Sequence, residues 1–351
     1  FVEAGRMKRA ALLLLLAALP ASAQSFADDT PFGGSLVFSE GENPRANPAR
    51  FDQLPSGWYA GVDVGDLKPR GASLAADAVA NAEQGGGPMD SALSRLGSKP
   101  WATRERLAGL AWAWEGGIRF GYTHEDLRGT FAVVDPASSH AALDGRQAVV
   151  DRLYAGAGSQ AGRSALGFTV RLERVRFGEE AFALQPQSGQ LPLGDPAAPL
   201  NGVGTDHAAT SATLDAGYLY DAGEHARLGF TLDRIASRRF GDLKEDPQAR
   251  AGLQVDLSPS FKLSFESDLN SAARLPIAVK RRVTALSLQV ELSPTASLTA
   301  GAERRKYEGA PASTVLGAAL HLRMAPLVLS LGLRLGDDRP LAAAALRLPG
   351  V

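Results

Sequence analysis

Cysteine is absent from the 351 residues, which excludes disulfides and thiolate-bound metals and suits a chain that passes through an oxidising compartment. Neither sign of charge is in excess. Lys+Arg number 37 and Asp+Glu 38, for a formal net charge of -1, so no positive field exists to attract nucleic-acid phosphates. Enzyme signatures are missing too: there is no Gly-x-Ser-x-Gly elbow, no His-Glu-x-x-His, no phosphate-binding Gly-rich Lys-Ser/Thr loop and no dinucleotide fingerprint. The five histidines, His124, His140, His207, His225 and His321, are scattered. Four of them are expected in turns or loops, which argues against a metal centre, and no cofactor is expected. Aromatic residues are scarce in the last third, where Tyr307 is the only one after Phe265.

Long apolar runs are also lacking. The one continuous stretch, Ala10 to Leu19, follows Met7-Lys8-Arg9 and precedes Pro20 and Ala21-Ser22-Ala23. That order of basic start, short apolar core and small-residue site predicts a signal peptide over residues 1–23, cleaved before Gln24, with residues 1–6 upstream of the initiator. Ala10 to Leu19 is too short to serve as a helical anchor. A membrane form of this chain would therefore have to be a barrel.

What the sequence does contain is period-two alternation, clearest between Pro247 and Leu348. Ala249, Ala251, Leu253, Val255 and Leu257 alternate with Arg250, Gly252, Gln254 and Asp256. Phe261, Leu263 and Phe265 alternate with Lys262, Ser264 and Glu266, and the pattern recurs in 286–292, 298–303, 316–323, 327–335 and 342–348. This spacing predicts seven successive strands with one apolar and one polar face. Runs of about nine to eleven residues match a tilted strand crossing hydrocarbon. Short turns such as Ser258-Pro259-Ser260 alternate with longer charged connections, as in outer-membrane barrels. The hairpin sequence LQVDLSPS at 253–260 is echoed by LQVELSPT at 288–295.

Upstream, strands are expected at 57–65, 108–114, 118–123, 130–134, 149–158, 166–177, 212–220 and 227–235. That gives fourteen or fifteen crossings, of which about fourteen (twelve to sixteen) is preferred because bacterial barrels use even numbers. The region 108–123 is the place where a miscount is expected. Residues 24–56 form an irregular, plug-like segment, and the barrel occupies 57–351. A helical insert at 70–100 would act as a lid, as a lumen plug or, more simply, as a cap on the periplasmic rim. The stretch 178–207 is expected as an outer loop and 237–246 as a charged loop. Trp112, Trp114, Phe120, Tyr122, Phe131, Tyr154, Tyr218 and Tyr220 suit an interfacial belt or strand packing, readings preferred here to an apolar-ligand site.

Two groups of residues carry candidate functions. If the leucine face meets lipid, Arg250, Asp256, Lys262, Glu266, Asp268, Glu291, Glu303, His321, Arg323 and Arg334 project inward. Their mixed signs favour cross-strand pairing over a charge-selective lining. Lys280, Arg281, Arg282, Arg304, Arg305 and Lys306 lie at the long-loop rim, where they would either be solvated loop ends or contact lipid phosphates.

Gly33-Gly34 and Asn47-Pro48-Ala49, together with Arg250-Ala251-Gly252 and the strand ending Asp268-Leu269, resemble motifs of the FadL-like outer-membrane barrels, and within them the conjugal-transfer TraF-like and PorV-type proteins. The resemblance implies an all-β, antiparallel transmembrane barrel in the outer membrane that passes or binds small solutes, hydrophobic ones included. Two alternatives remain open: a non-transporting scaffold that docks a secretion or conjugation partner, and a soluble periplasmic β-sandwich with its leucine faces buried.

Overall fold

In a computed structural model of the chain the described residues are 47–53, 57–63, 102–135, 140–184, 203–241, 243–273, 275, 280–308, 312–325, 327–335 and 341–349. A short 3-10 helix, Pro48–Gln53, comes first. It is followed by β1 (Gly57–Asp63), β2 (Ala102–Glu115), β3 (Ile118–Asp135), β4 (His140–Ala161), β5 (Ser164–Leu184) and β6 (His207–Asp221). Next come β7 (Ala226–Asp233), the small pair β8 (Arg238–Phe240) and β9 (Leu243–Glu245), then β10 (Gln248–Ser258), β11 (Phe261–Asp268) and β12 (Ala272–Ala273). The chain finishes with β13 (Lys280–Ser293), β14 (Ala296–Tyr307), β15 (Ser313–Met324), β16 (Leu327–Leu335) and β17 (Leu341–Pro349).

Every pairing between these strands is antiparallel. β1 pairs with β2 on one side and with β17 on the other, from Gly57 opposite Pro349 to Asp63 opposite Ala343. β11 pairs with β10 and also with β13, from Phe261 opposite Val290 to Ser267 opposite Thr284. Leaving aside β8, β9 and β12, fourteen strands thus each have a neighbour on both edges, and the ladder returns on itself. A ring leaves no free sheet edge, which is what a β structure in hydrocarbon requires.

The exposed face of the wall is the apolar one. On β5 Leu166, Phe168, Val170 and Leu172 are exposed, while Ala165, Thr169, Arg171, Glu173 and Val175 between them are buried. On β13 and β14 Leu286, Leu292 and Leu298 are exposed, against buried Ser297 and Thr299. This inverts the usual relation of a soluble sheet to water. The sandwich alternative needed these leucines sealed under a second sheet, and among the described residues no such layer covers them.

The apolar belt has a level upper edge. Tyr122, Leu153 and Leu172 stand in register across β3, β4 and β5, and the next outward positions are His124, Asp151 and Arg174. On the far side Leu286 opposes Ala302, and the next outward pair is Thr284 with Arg304. From Leu166 to Leu172, or from Leu292 to Leu286, is roughly 20 Å along a strand, which at a tilt of about 40° rises roughly 15 Å within the apolar band of such barrels.

The tight turns at 116–117, 162–163, 259–260 and 294–295 lie on one rim together with the start of β1 and the end of β17. β1 ends and β2 begins toward the other rim, so the expected helical insert, itself outside the described residues, is flanked by strands of the long-loop rim and not of the tight-turn rim where a cap was expected.

The carboxy-terminal strands fall where the alternation placed them, whereas the amino-terminal half differs. The expected strands 118–123 and 130–134 are one, β3, of 18 residues. β4 and β5 run for 22 and 21 residues, well beyond the expected length. β5 also continues to Leu184, into the stretch expected as a loop. Of the histidines expected in turns, His124, His140 and His207 lie in strands. The aromatics divide: Phe120, Tyr122, Tyr218 and Tyr220 face outward, and Tyr154 is buried on the inner face.

Candidate functional site: a layered lumen

Inward positions of β4, β5 and β6 form three levels, which follow from the register. Nearest the tight turns, Ala165 and Gly167 of β5 stand beside Leu219 and Gly217 of β6. The amino-terminal segment packs here. Asn47 and Ala49 are fully buried, and Ala49 forms a small apolar cluster with Ala165 and Leu219. The Asn47 side-chain amide donates to the carbonyls of Tyr218 and Phe230, both at 3.3 Å, and its oxygen accepts from the Ala49 amide at 3.0 Å. Close approach explains the glycines: a β-carbon at Gly167 would lie 2.2 Å from the Pro48 carbonyl carbon, and one at Gly217 would lie 1.9 Å from Asn47 Oδ1.

Above this lies a layer of buried ions. Arg152 of β4 bonds Glu125 of β3 and, from its Nε, Glu173 of β5 at 3.2 Å. Arg171 of β5 bridges Asp215 and Asp233, and its guanidinium stands 6.0 Å from the Tyr154 ring centroid. Arg234 reaches Asp233 at 3.1 Å and Glu245 at 2.8 Å, and Arg238 links Glu173 at 2.6 Å to Glu245 at 3.0 Å. Arg152, Arg171 and Arg234 are among the most fully buried large side chains of the protein. Burying charge on this scale is tolerable only because each ion faces the opposite sign.

The segment expected as the charged loop 237–246 is what completes this layer. Arg234 adopts φ 60 just after β7, its amide donates to Asp215 Oδ1 at 2.9 Å, and the chain turns inward into the β8–β9 hairpin. Asp246, beyond that hairpin, accepts from the Ala273 amide at 3.2 Å and pairs with Lys244 at 2.8 Å. Burial pushes the Asp246 carboxyl up, but Lys244, the Ala273 amide and the Ser237 hydroxyl outweigh it and hold the carboxyl below its ordinary value.

Toward the long-loop rim the inner face becomes apolar. Ala148, Val150, Val175, Phe177, Phe240 and Leu275 form one cluster, with Ala209 against it. Phe177 packs edge-on to Phe240 at 6.3 Å between centroids and tilts against His207 at 5.4 Å.

The residues singled out on the polar face form smaller groups on the opposite wall. Arg250 pairs with Asp268 at 2.7 Å and stands 3.7 Å from Glu266, while Asp268 also accepts from Gln248 at 2.6 Å and from the Val283 amide at 2.6 Å. Glu291 and Arg323 form a two-point pair at 2.8 and 3.0 Å, and Glu303 bonds Arg305 at 3.0 Å. His321 is buried between Thr299 (3.0 Å) and Ser330 (2.8 Å). Asp256 and Lys262 stand opposite each other in the β10–β11 register. The side chain of Arg334 lies outside the described set, as do Gly33 and Gly34 of the amino-terminal motif, while Asn47, Pro48 and Ala49 occupy the lowest level.

The basic run at the rim divides by strand parity. Arg281 and Arg305 are buried on the inner face, so they cannot meet lipid as expected, and Lys280, Arg282, Arg304 and Lys306 face outward.

Sequence reasoning missed Glu125, Arg152, Arg171, Glu173, Asp215, Asp233, Arg234, Arg238 and Glu245. A signal for two of them was present: Arg171 and Glu173 alternate with Val170 and Leu172 inside an apolar strand.

No family model matches the sequence, and no curated protein matches it either. Solved structures do. The CymD monoaromatic hydrocarbon channel superposes with a TM-score of 0.56 at 10% identity, covering 91% of this chain and 95% of that one. The likeness is one of fold. The toluene transporter TbuX of Ralstonia pickettii gives a TM-score of 0.56 at 11% identity, over 92% and 97% of the two chains. The toluene transporter TodX of Pseudomonas putida gives 0.53 at 13% identity, over 92% and 96%.

Proposed function

We propose that this chain is an outer-membrane barrel of the FadL-like kind that binds small hydrophobic solutes at its outer mouth and passes them inward. The observation that carries this reading is the inverted wall: a belt of exposed leucines outside, with polar and charged groups enclosed within. The inner face turns apolar at the Phe177–Phe240 cluster on the long-loop side, the side from which an apolar solute would enter. The fold shared with channels for toluene and other monoaromatic hydrocarbons suggests that class of solute. Export by a cleaved signal peptide is part of the same reading. Uptake of labelled toluene by cells lacking their own hydrocarbon channels, with and without this chain, tests it. Uptake equal in the two would overturn it.

A second reading is favoured by one observation. The amino-terminal segment lies inside the barrel against Gly167 and Gly217, and the ion layer of β3 to β7 and the β8–β9 hairpin is stacked above it. A barrel so filled suits a scaffold that docks a secretion or conjugation partner, the role that a TraF-like or PorV-type relationship would imply. No uptake, together with a stoichiometric partner recovered by crosslinking in cells, would favour it.

A further inference from the structure

We propose that Lys280, Arg282, Arg304 and Lys306 form a site on the outer wall that binds the phosphate groups of the glycolipid of the outer leaflet. The inference rests on the outer-membrane reading above, which places the long-loop rim outside.

The four residues belong to two paired strands and face outward together. Arg282 stands directly opposite Lys306, and Arg304 opposite Thr284 one outward step lower. Below them the same two columns are apolar, with Leu286 opposite Ala302 and Leu288 opposite Ala300. Neighbouring strands change character at the same level, from Phe265 to Ser267 on β11 and from Leu316 to Thr314 on β15. The cations therefore begin where the hydrocarbon-facing belt ends, at the height of lipid headgroups.

Like charges directly across a strand pair are destabilising, and here Arg282 and Lys306 are so placed. Among the described residues no acidic side chain forms an ion pair with Lys280, Arg282, Arg304 or Lys306: Glu308 follows Tyr307 across from Lys280, its amide bonding the Lys280 carbonyl at 2.9 Å, but its carboxylate makes no salt bridge to that lysine, and the contact made by Arg282 is a hydrogen bond from its Nε to the Asp268 carbonyl at 2.8 Å. That bond fixes the guanidinium and leaves its terminal nitrogens to another acceptor. The corresponding level on β3 to β5 behaves differently. There Asp151 bonds Tyr122 at 2.7 Å and His124 at 2.5 Å and lies 3.7 Å from Arg176, so the protein supplies its own anion. Adjacent strands are roughly 5 Å apart and successive outward residues roughly 7 Å. The four side chains thus converge on an area that one or two phosphates can cover, with charge-assisted bonds from the arginines.

The test compares the full chain with a variant carrying Lys280→Gln, Arg282→Gln, Arg304→Gln and Lys306→Gln, and with Arg174→Gln, which removes an outward cation elsewhere on the wall. Proteins are first shown to fold by heat-modifiable gel mobility. Binding of bisphosphorylated lipid A, of its dephosphorylated form and of inorganic phosphate is then measured in detergent. The expected result is tight binding of the phosphorylated lipid alone, weakened at least tenfold by the fourfold variant and unchanged by Arg174→Gln. Equal binding of the two lipids, or an unaltered fourfold variant, would overturn the site; binding of inorganic phosphate as tightly as the lipid would overturn the lipid as its occupant. A chain that folds without detergent would instead defeat the outer-membrane reading, a result visible before any ligand is added.

Discussion

Gly167 and Pro48 are in backbone contact: an added methyl on the glycine would sit 2.2 Å from the Pro48 carbonyl oxygen. The obstruction is main chain, which cannot swing aside as a side-chain tip would. Gly167→Ala should therefore dislodge residues 47–53 while leaving the ring intact. The expected outcome is faster proteolytic cleavage near Asn47 with unchanged heat-modifiable mobility. Cleavage at the wild-type rate would mean that the segment is not held there.

The ion layer predicts a large effect from a single change. Arg171→Met leaves Asp215 and Asp233 without the guanidinium that bridges them, and removing one partner from a buried pair costs about 3–5 kcal/mol. Equilibrium unfolding by urea in lipid vesicles measures this. A loss below about 1 kcal/mol would show the layer to be hydrated.

On the outer face the sign of the environment can be read from one position. Val170 lies mid-belt on β5 and is exposed, so Val170→Arg should cost about 2–4 kcal/mol in a bilayer. In water an exposed valine replaced by arginine changes stability by under about 0.5 kcal/mol. The same unfolding measurement decides between the two.

Asp246 gives a pH dependence. Because its carboxyl titrates below the ordinary 3.8 in the folded protein, its contribution is complete above that value and is lost as the pH falls through the lower, folded pKa. The tie between Asp246 and the Ala273 amide should hold from neutrality down to about pH 4 and open below it. Hydrogen exchange at Ala273, corrected for intrinsic rate, follows the opening. Asp246→Asn should remove the pH dependence, and a persistent one would assign it to another group.

The carboxy-terminal strands were legible because β10, β11 and β13 to β17, with 8 to 14 residues, run less far beyond the belt than β3 to β5, with 18 to 22, so the alternation of lipid outside and polar interior covers more of their length. β3 was read as two pieces because its outward face leaves the belt after Tyr122. At His124 and Asp126 the outward face turns polar, so the apolar-polar alternation is lost there while the hydrogen-bond ladder continues. Arg238 and Glu245 looked like loop charges for a related reason. Their partner Glu173 lies far away in sequence, and local spacing carries no trace of such a pairing.

Unequal strand lengths give the molecule an oblique end. β4, with 22 residues, and β16, with 9, start from a common base, and at a tilt of about 40° they rise roughly 55 Å and 23 Å. One flank is a parapet standing well clear of the bilayer, while the other stops near its surface. A greasy molecule drifting in the plane of the leaflet would meet a low sill on that second flank, whereas one arriving from bulk water would first strike the inner side of the parapet.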